Sequence, residues 1–371
     1  MTARFRRAVF SCAAGFMRKN GAEFINSSGT RHVINRFANG LAGGDGFTWQ
    51  VERRRFDKLL LDHAVESGCT LFQPVSVVKI AAGETFVDVT LSDGSTLRAS
   101  HLIDAGGREH LAGKTFGIGH DKIPYPPRLA IYNHFHGIPD SPGDRYGNII
   151  ITRTGRAWTW NIPLDKEKTS FGVVAVVADY KASGLTQEAF FKKTVEGSPA
   201  MSGLMKDAVP ADEFRLVADY TYSLKTFGGA RWIAAGDAAC FIDPIFSSGV
   251  YLALTSGLAA AKLLLARPAS APTPAGEIAA YTKRYKRGVM VMRELIEQFY
   301  DDHGCAVFLT PHPRYGIAAA VNSIVAGVTD SPFRVRWRYR AFILICKLNK
   351  LLNGRLSGPI EGADSRPAIT I

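Results

Sequence analysis

Ala235-Gly236-Asp237-Ala238-Ala239-Cys240-Phe241-Ile242-Asp243-Pro244-Ile245-Phe246-Ser247-Ser248-Gly249-Val250 lies between an apolar stretch at 231–235 and a small-residue helical pattern running to about Leu265. A buried strand ending in Gly236-Asp237 places a carboxylate where it can accept hydrogen bonds from a ribose or bridge to a pyrophosphate. The helix that follows begins with N–H groups that no carbonyl of its own turn can take, and these attract anionic groups. Strand, turn-rich loop and helix in this order mark Gly236 and Asp237 as nucleotide-binding candidates.

Reading outward, residues 48–67 (TWQVERRRFDKLLLDHAVES) start extended and then carry Phe56, Leu59, Leu60 and Ala64 at helical spacing, closed by Gly68. TLFQPVSVVKI is rich in β-branched residues, and FVDVTL-SDGS-TLRAS predicts a hairpin turning at Asp93-Gly94. HLIDAGG is a further apolar strand ending on glycines. From Arg128 to about Val177, LAIYNHFH, NIIITR, AWTWNIP and FGVVAVVA predict a mostly β block of the kind that covers a site. ARPASAPTPAGE at 266–277 reads as a surface linker, and the chain beyond about Tyr281 as mainly helical. Strand-helix units on both sides of a β block indicate an α/β nucleotide-binding domain assembled from separated segments. The expected division is 1–120 with 225–280 for that domain, 121–224 for a β-sheet substrate domain, and 281–371 for a helical C-terminal region.

The segment GDAACFIDPIFSSGVYLA resembles the second FAD motif of the flavin-dependent halogenases, within the p-hydroxybenzoate-hydroxylase-like flavoprotein class. Trp158-Thr159-Trp160-Asn161-Ile162-Pro163 fits the WxWxIP pattern of that family. Two tryptophans two apart on a strand face one side and form a bulky wall. Gly15-Phe16-Met17-Arg18-Lys19-Asn20-Gly21-Ala22 is similar to the FxxKxGA segment that holds the family's lysine. The resemblance covers roughly residues 12–300. It implies a Rossmann-like FAD-binding fold, with Pro244, Phe246, Ser247, Ser248, Gly249 and Val250 at the flavin ring and the halide. It also implies a catalytic role for Lys19 beyond a wall of Trp158 and Trp160. Arg53 matches the arginine that flavin monooxygenases place at the dinucleotide, and Asp104-Ala105-Gly106-Gly107-Arg108 matches their DASGR-like strand end, with Gly106 at the cofactor.

The activity so implied is halogenation of an electron-rich aromatic or heteroaromatic substrate. Reduced FAD, supplied by a separate flavin reductase, reacts with O2 to a flavin hydroperoxide that oxidises chloride or bromide to hypohalous acid. Lysine suits the next step as a hydrogen-bond donor, or as an amine if desolvation lowers its pKa. Two alternatives stay open: an FAD hydroxylase or reductase in which the tryptophans have no such role, and an inactive remnant.

Five scattered cysteines without ligand spacing suggest neither a disulfide framework nor a metal site, and point to a reducing, cytoplasmic compartment. No apolar run approaches the roughly 18 residues of a spanning helix. The net charge of +12 is concentrated near the C-terminus, where Arg334, Arg336, Arg338, Arg340, Lys347 and Lys350 interleave with Trp337, Tyr339 and Phe342. The simplest reading is a solvated helix with its aromatic side chains turned inward. Its charge also suits an acidic carrier protein presenting a tethered substrate. No nucleic-acid partner is expected.

Flavoproteins of this class open with a strand, a GxGxxG turn and a helix holding the FAD pyrophosphate, and neither GGDG at 43–46 nor FGIGH at 116–120 has that spacing. About 50 residues of a βαβ opening are therefore expected upstream of this sequence, unless the gene is a remnant. The 371-residue chain is expected to bind FAD weakly and to purify colourless. A stoichiometric flavin absorbance spectrum would contradict this and leave the Arg53 and Asp237 regions sufficient.

Overall fold

The computed structural model describes residues 15–218, 221–311, 314–361 and 369–370. These fall into two compact units. The first comprises residues 57–125 and 221–290, and the second residues 15–56, 126–218 and 291–361.

In the first unit the strand Leu102–Asp104 pairs in parallel with Trp232–Ala234, which is also joined by Gly228–Gly229. Both parallel strands are too short and apolar to stand alone. They are held by a core in which Phe227, Trp232, Ile233 and Ala234 pack with Leu224, Ala112 and Ala260. Tyr281 and Tyr285 from the Ala275–Tyr300 helix close that core, and the Tyr281 hydroxyl donates to the Ala234 carbonyl at 2.9 Å. The hairpin predicted at Asp93-Gly94 is present, linking Val87–Leu91 to Thr96–Ala99 antiparallel beside Val77–Ala82.

The second unit is built on a nine-stranded sheet. Arg128–His136, Thr169–Val176, Ala157–Pro163 and Ile149–Thr154 follow one another antiparallel, and Gly21–Asn26 then joins Ile149–Thr154 in parallel. One face of this sheet carries Leu129, Ile131, Phe171 and Val173 against Phe190, Phe191 and Val195 of the Gln187–Glu196 helix, and that helix is capped at its start by the Thr186 hydroxyl. The other face carries Phe24, which meets Phe299 and Phe308 edge-on at 6.1 and 4.9 Å.

Trp160 lies across the neighbouring strand over Gly172, its register partner. A Cβ at position 172 would stand 2.3 Å from Trp160 Cζ2, well inside any real carbon contact. Only glycine lets the indole lie flat on the strand. Gly172→Ala is therefore expected to destabilise the protein by about 1–3 kcal/mol through overpacking. Urea unfolding checks this, and an unchanged midpoint would mean that the indole is free to move aside.

Candidate functional site

In the first unit two turns distant in sequence stand side by side at the carboxyl ends of the two parallel strands, where open α/β sheets bind their ligands. The turn after Leu102–Asp104 holds Gly106 and Gly107. Its shape is set by Asp104, whose Oδ1 accepts from the Gly106 N–H at 2.9 Å and whose Oδ2 accepts from the Ala112 N–H at 2.8 Å. The turn after Trp232–Ala234 is the single 3-10 turn Gly236–Ala238. Gly236 has φ of +59°, which favours glycine, and its N–H donates to Ser256 Oγ at 2.8 Å. The Tyr222 hydroxyl ties the two turns by donating to the Gly107 and Asp237 carbonyls.

The loop to the next helix is equally shaped. Asp243 is buried and accepts from the Ile245 N–H at 3.0 Å, Phe246 is buried, and the Ser247 N–H donates to the Pro244 carbonyl at 2.8 Å. Ser247 takes the left-handed conformation at φ +52°, uncommon for a residue other than glycine. The helix Gly249–Leu265 starts beyond Ser248, whose side chain makes no capping bond. The first-turn N–H groups at Gly249 and Val250 are thus not spent on a cap. These residues fit a flavin nucleotide: two glycine turns at strand ends, a half-buried Asp237 in the second of them, and a helix start whose first amides take no side-chain cap among the described residues.

In the second unit Lys19 ends the strand Met17–Lys19, which pairs with Thr48–Gln50 so that Lys19 faces Thr48. Arg53, exposed, opens the helix Arg53–Glu66 just after that partner strand. Lys19 is 7% exposed, with its ammonium 5.7 Å from the centre of the Phe37 ring, and it makes no ion pair among the described residues. Burial without a counter-charge pushes its pKa down to about 8. Trp158 and Trp160 project from one side of Ala157–Pro163 with ring centres 5.9 Å apart. Trp158 is fully buried and donates from Nε1 to the Tyr300 hydroxyl at 2.7 Å; Trp160, half-buried, donates to Ser170 Oγ at 3.2 Å.

Some polar groups here carried no sequence signal. Glu23, two residues after Gly21, is 1% exposed and accepts from His32, Arg145 and Asn148 at 2.8, 3.1 and 3.2 Å. Burial alone would raise its pKa, but hydrogen bonds from His32 and Asn148 and the charges of His32 and Arg145 outweigh it and hold the carboxyl low. In the first unit Tyr222 packs against His110 at 4.8 Å, and His110 against His120 at 5.3 Å. Of these three rings Tyr222 bonds to both glycine turns, and nothing in its local sequence marks it.

A lysine whose folded pKa is depressed costs stability wherever the folded chain must hold it charged. That cost is full below about pH 8 and disappears as pH rises toward the unfolded value of 10.5. Lys19→Met is therefore expected to exceed the parent in stability by about 3 kcal/mol near pH 7, with the difference shrinking between pH 8 and 10.5. Denaturant unfolding across that range tests it. A difference independent of pH would assign the change to packing alone.

A family model described as tryptophan halogenase matches residues 22–304. The chain is 31% identical over 280 residues to the chlorinase of 1H-pyrrole-2-carbonyl-peptidyl-carrier protein from Pseudomonas fluorescens, covering 72% of this chain and 62% of that protein. It is 28% identical to the sulochrin halogenase gedL of Aspergillus terreus over 86% of this chain and 65% of the relative. The chain thus spans less than two thirds of the length of these relatives. Among solved structures, a flavoprotein/dehydrogenase of Cytophaga hutchinsonii superposes with a TM-score of 0.80 at 25% identity, over 95% of this chain and 87% of that one. The brominase Bmp2 shares the fold, with a TM-score of 0.79 at 22% identity over 93% and 87% of the two chains. No helix among the described residues is long and apolar enough to cross a membrane. By the match over 22–304 and the identity to the chlorinase, the chain belongs to the tryptophan halogenase family of flavin-dependent halogenases.

Proposed function

We propose that the protein carries out FAD-dependent halogenation of an electron-rich aromatic or heteroaromatic substrate, with chloride or bromide as co-substrate and a separate flavin reductase as partner. The observation that carries the reading is Lys19, an amine buried on a strand and without an ion pair among the described residues, in the segment similar to the family's lysine motif. Keeping an unpaired cation out of water is costly, and perturbed groups of this kind concentrate at functional sites.

Bound FAD, when reduced, supplies with O2 the oxidising power that converts halide to an electrophilic halogen. The residues of this chain do the rest. Gly106, Gly236 and Asp237 would hold the nucleotide, with Arg53 as a delocalised cation for its phosphates. Pro244, Phe246 and Val250 would bound the flavin ring. Ser247, Ser248 and Gly249 would replace part of the halide's hydration shell with hydroxyl and amide donors at the start of the Gly249–Leu265 helix. Trp158 and Trp160, fixed by their bonds to Tyr300 and Ser170, would hold substrate back from the flavin. Lys19 positions the halogen at the substrate, as a donor while protonated or as a neutral amine, which a pKa of about 8 makes accessible near neutrality. The Pseudomonas relative's name specifies a pyrrole on a peptidyl carrier. A heteroaromatic ring delivered free or on an acidic carrier protein fits the same reading.

Lys19→Ala is expected to abolish halogenated product, by at least about a hundredfold, while flavin oxidation continues. The assay supplies FAD, O2, halide and a flavin reductase. Lys19→Arg is expected to fail as well if the amine must lose its proton, since a guanidinium stays charged. Halogenation by Lys19→Ala at the parental rate, or hydroxylated product with or without halide, would replace this reading with a hydroxylase.

A further inference from the structure

The helix Phe333–Leu351 has two apolar faces, where a surface helix ordinarily has one. Val335, Tyr339, Phe342 and Cys346 are buried against the second unit, and the Tyr339 hydroxyl donates to the Val291 carbonyl at 2.9 Å. At about 100° per residue, Phe333, Trp337, Leu344, Leu348 and Leu351 fall on a stripe roughly opposite that buried face. All five are exposed: Phe333 is 72% accessible, Leu344 56% and Leu351 77%.

Cations border the stripe on both sides. Arg336, Arg340 and Lys347 run along one edge, and Arg334 stands on the other. None of these four makes an ion pair among the described residues, whereas Lys350 is held by Asp301. From Ser331 to Ile360 the sequence has seven Lys and Arg and no Asp or Glu. Such a surface repels cations and leaves a row of large side chains in water.

We infer that this helix is a membrane-interface element that lies along an anionic lipid surface. Phe, Trp and Leu would sink into the boundary between headgroups and acyl chains, while the flanking Arg and Lys reach lipid phosphates and carboxylates. The stripe runs along a single helix, a form that suits a soft surface better than a shaped partner. Charge complementarity selects an anionic one, each basic residue near such a surface strengthening attachment about fivefold. The helix does not span: it is apolar on two stripes with cations between them. This attachment is independent of the halogenation chemistry.

The test is co-sedimentation of the 371-residue protein with vesicles of phosphatidylcholine alone or mixed with phosphatidylserine. Binding is expected only to the mixed vesicles, weakening as salt is raised. Leu344→Glu with Leu348→Glu, and separately Arg336→Glu with Arg340→Glu, are each expected to weaken it by at least about tenfold, with circular dichroism unchanged. None of these residues belongs to the proposed reaction site. The proposal is overturned by no pelleting with anionic vesicles, by pelleting that survives both double variants, or by a dimer in sedimentation velocity that the leucine variant dissolves. Retention by an acidic carrier protein without vesicle binding would also overturn it and assign the face to that partner.

Discussion

The parallel pairing of Gly21–Asn26 with Ile149–Thr154 is the constraint on which the second unit rests. It joins two segments more than a hundred residues apart and seats the chain that leaves Lys19 inside a continuous sheet. A parallel pair cannot be closed by a hairpin, so this contact depends on the rest of the sheet being in register. A slip of one residue would turn Phe24 away from Phe299 and Phe308 and bring Glu23, with its three polar partners, onto the aromatic face. The aromatic packing and the Glu23 network thus enforce the same register from opposite sides, and the Lys19 strand inherits its place from both.

Local pattern carried much of this fold in the sequence. The Asp93-Gly94 hairpin, the strand and helix from Thr48 to Glu66, and the run from Trp232 into the Gly249–Leu265 helix each combine apolar periodicity with a turn residue that backbone geometry demands. The loop 243–249 was legible only through resemblance, because its shape comes from Asp243, from the Pro244 carbonyl and from Ser247 in a conformation that serine seldom adopts. What stayed hidden depends on contacts between remote segments. Tyr222 bridges two turns more than a hundred residues apart, and Glu23 finds its arginine at position 145. No window along the chain brings such pairs together.

The C-terminal helix illustrates the same limit differently. Its alternation of arginine with aromatic residues reads as a helix with aromatic groups turned inward, and Tyr339 and Phe342 do turn inward. Trp337 does not, being 41% exposed, and Leu344, Leu348 and Leu351 join it. Composition could not separate these sets, because they differ only in angle around the axis and in which side the fold covers.

The close seat of Trp160 on Gly172 also bears on how the tryptophan wall could change over evolutionary time. While the indole is present, position 172 is closed to every residue with a side chain. Once Trp160 is replaced by something small, the same position becomes permissive, and a side chain there could fill the space the ring leaves. The order of substitutions is therefore fixed: the strand Thr169–Val176 can remodel the wall only after Ala157–Pro163 has yielded. Reversal is then blocked, since an indole restored at 160 would collide with whatever had settled at 172.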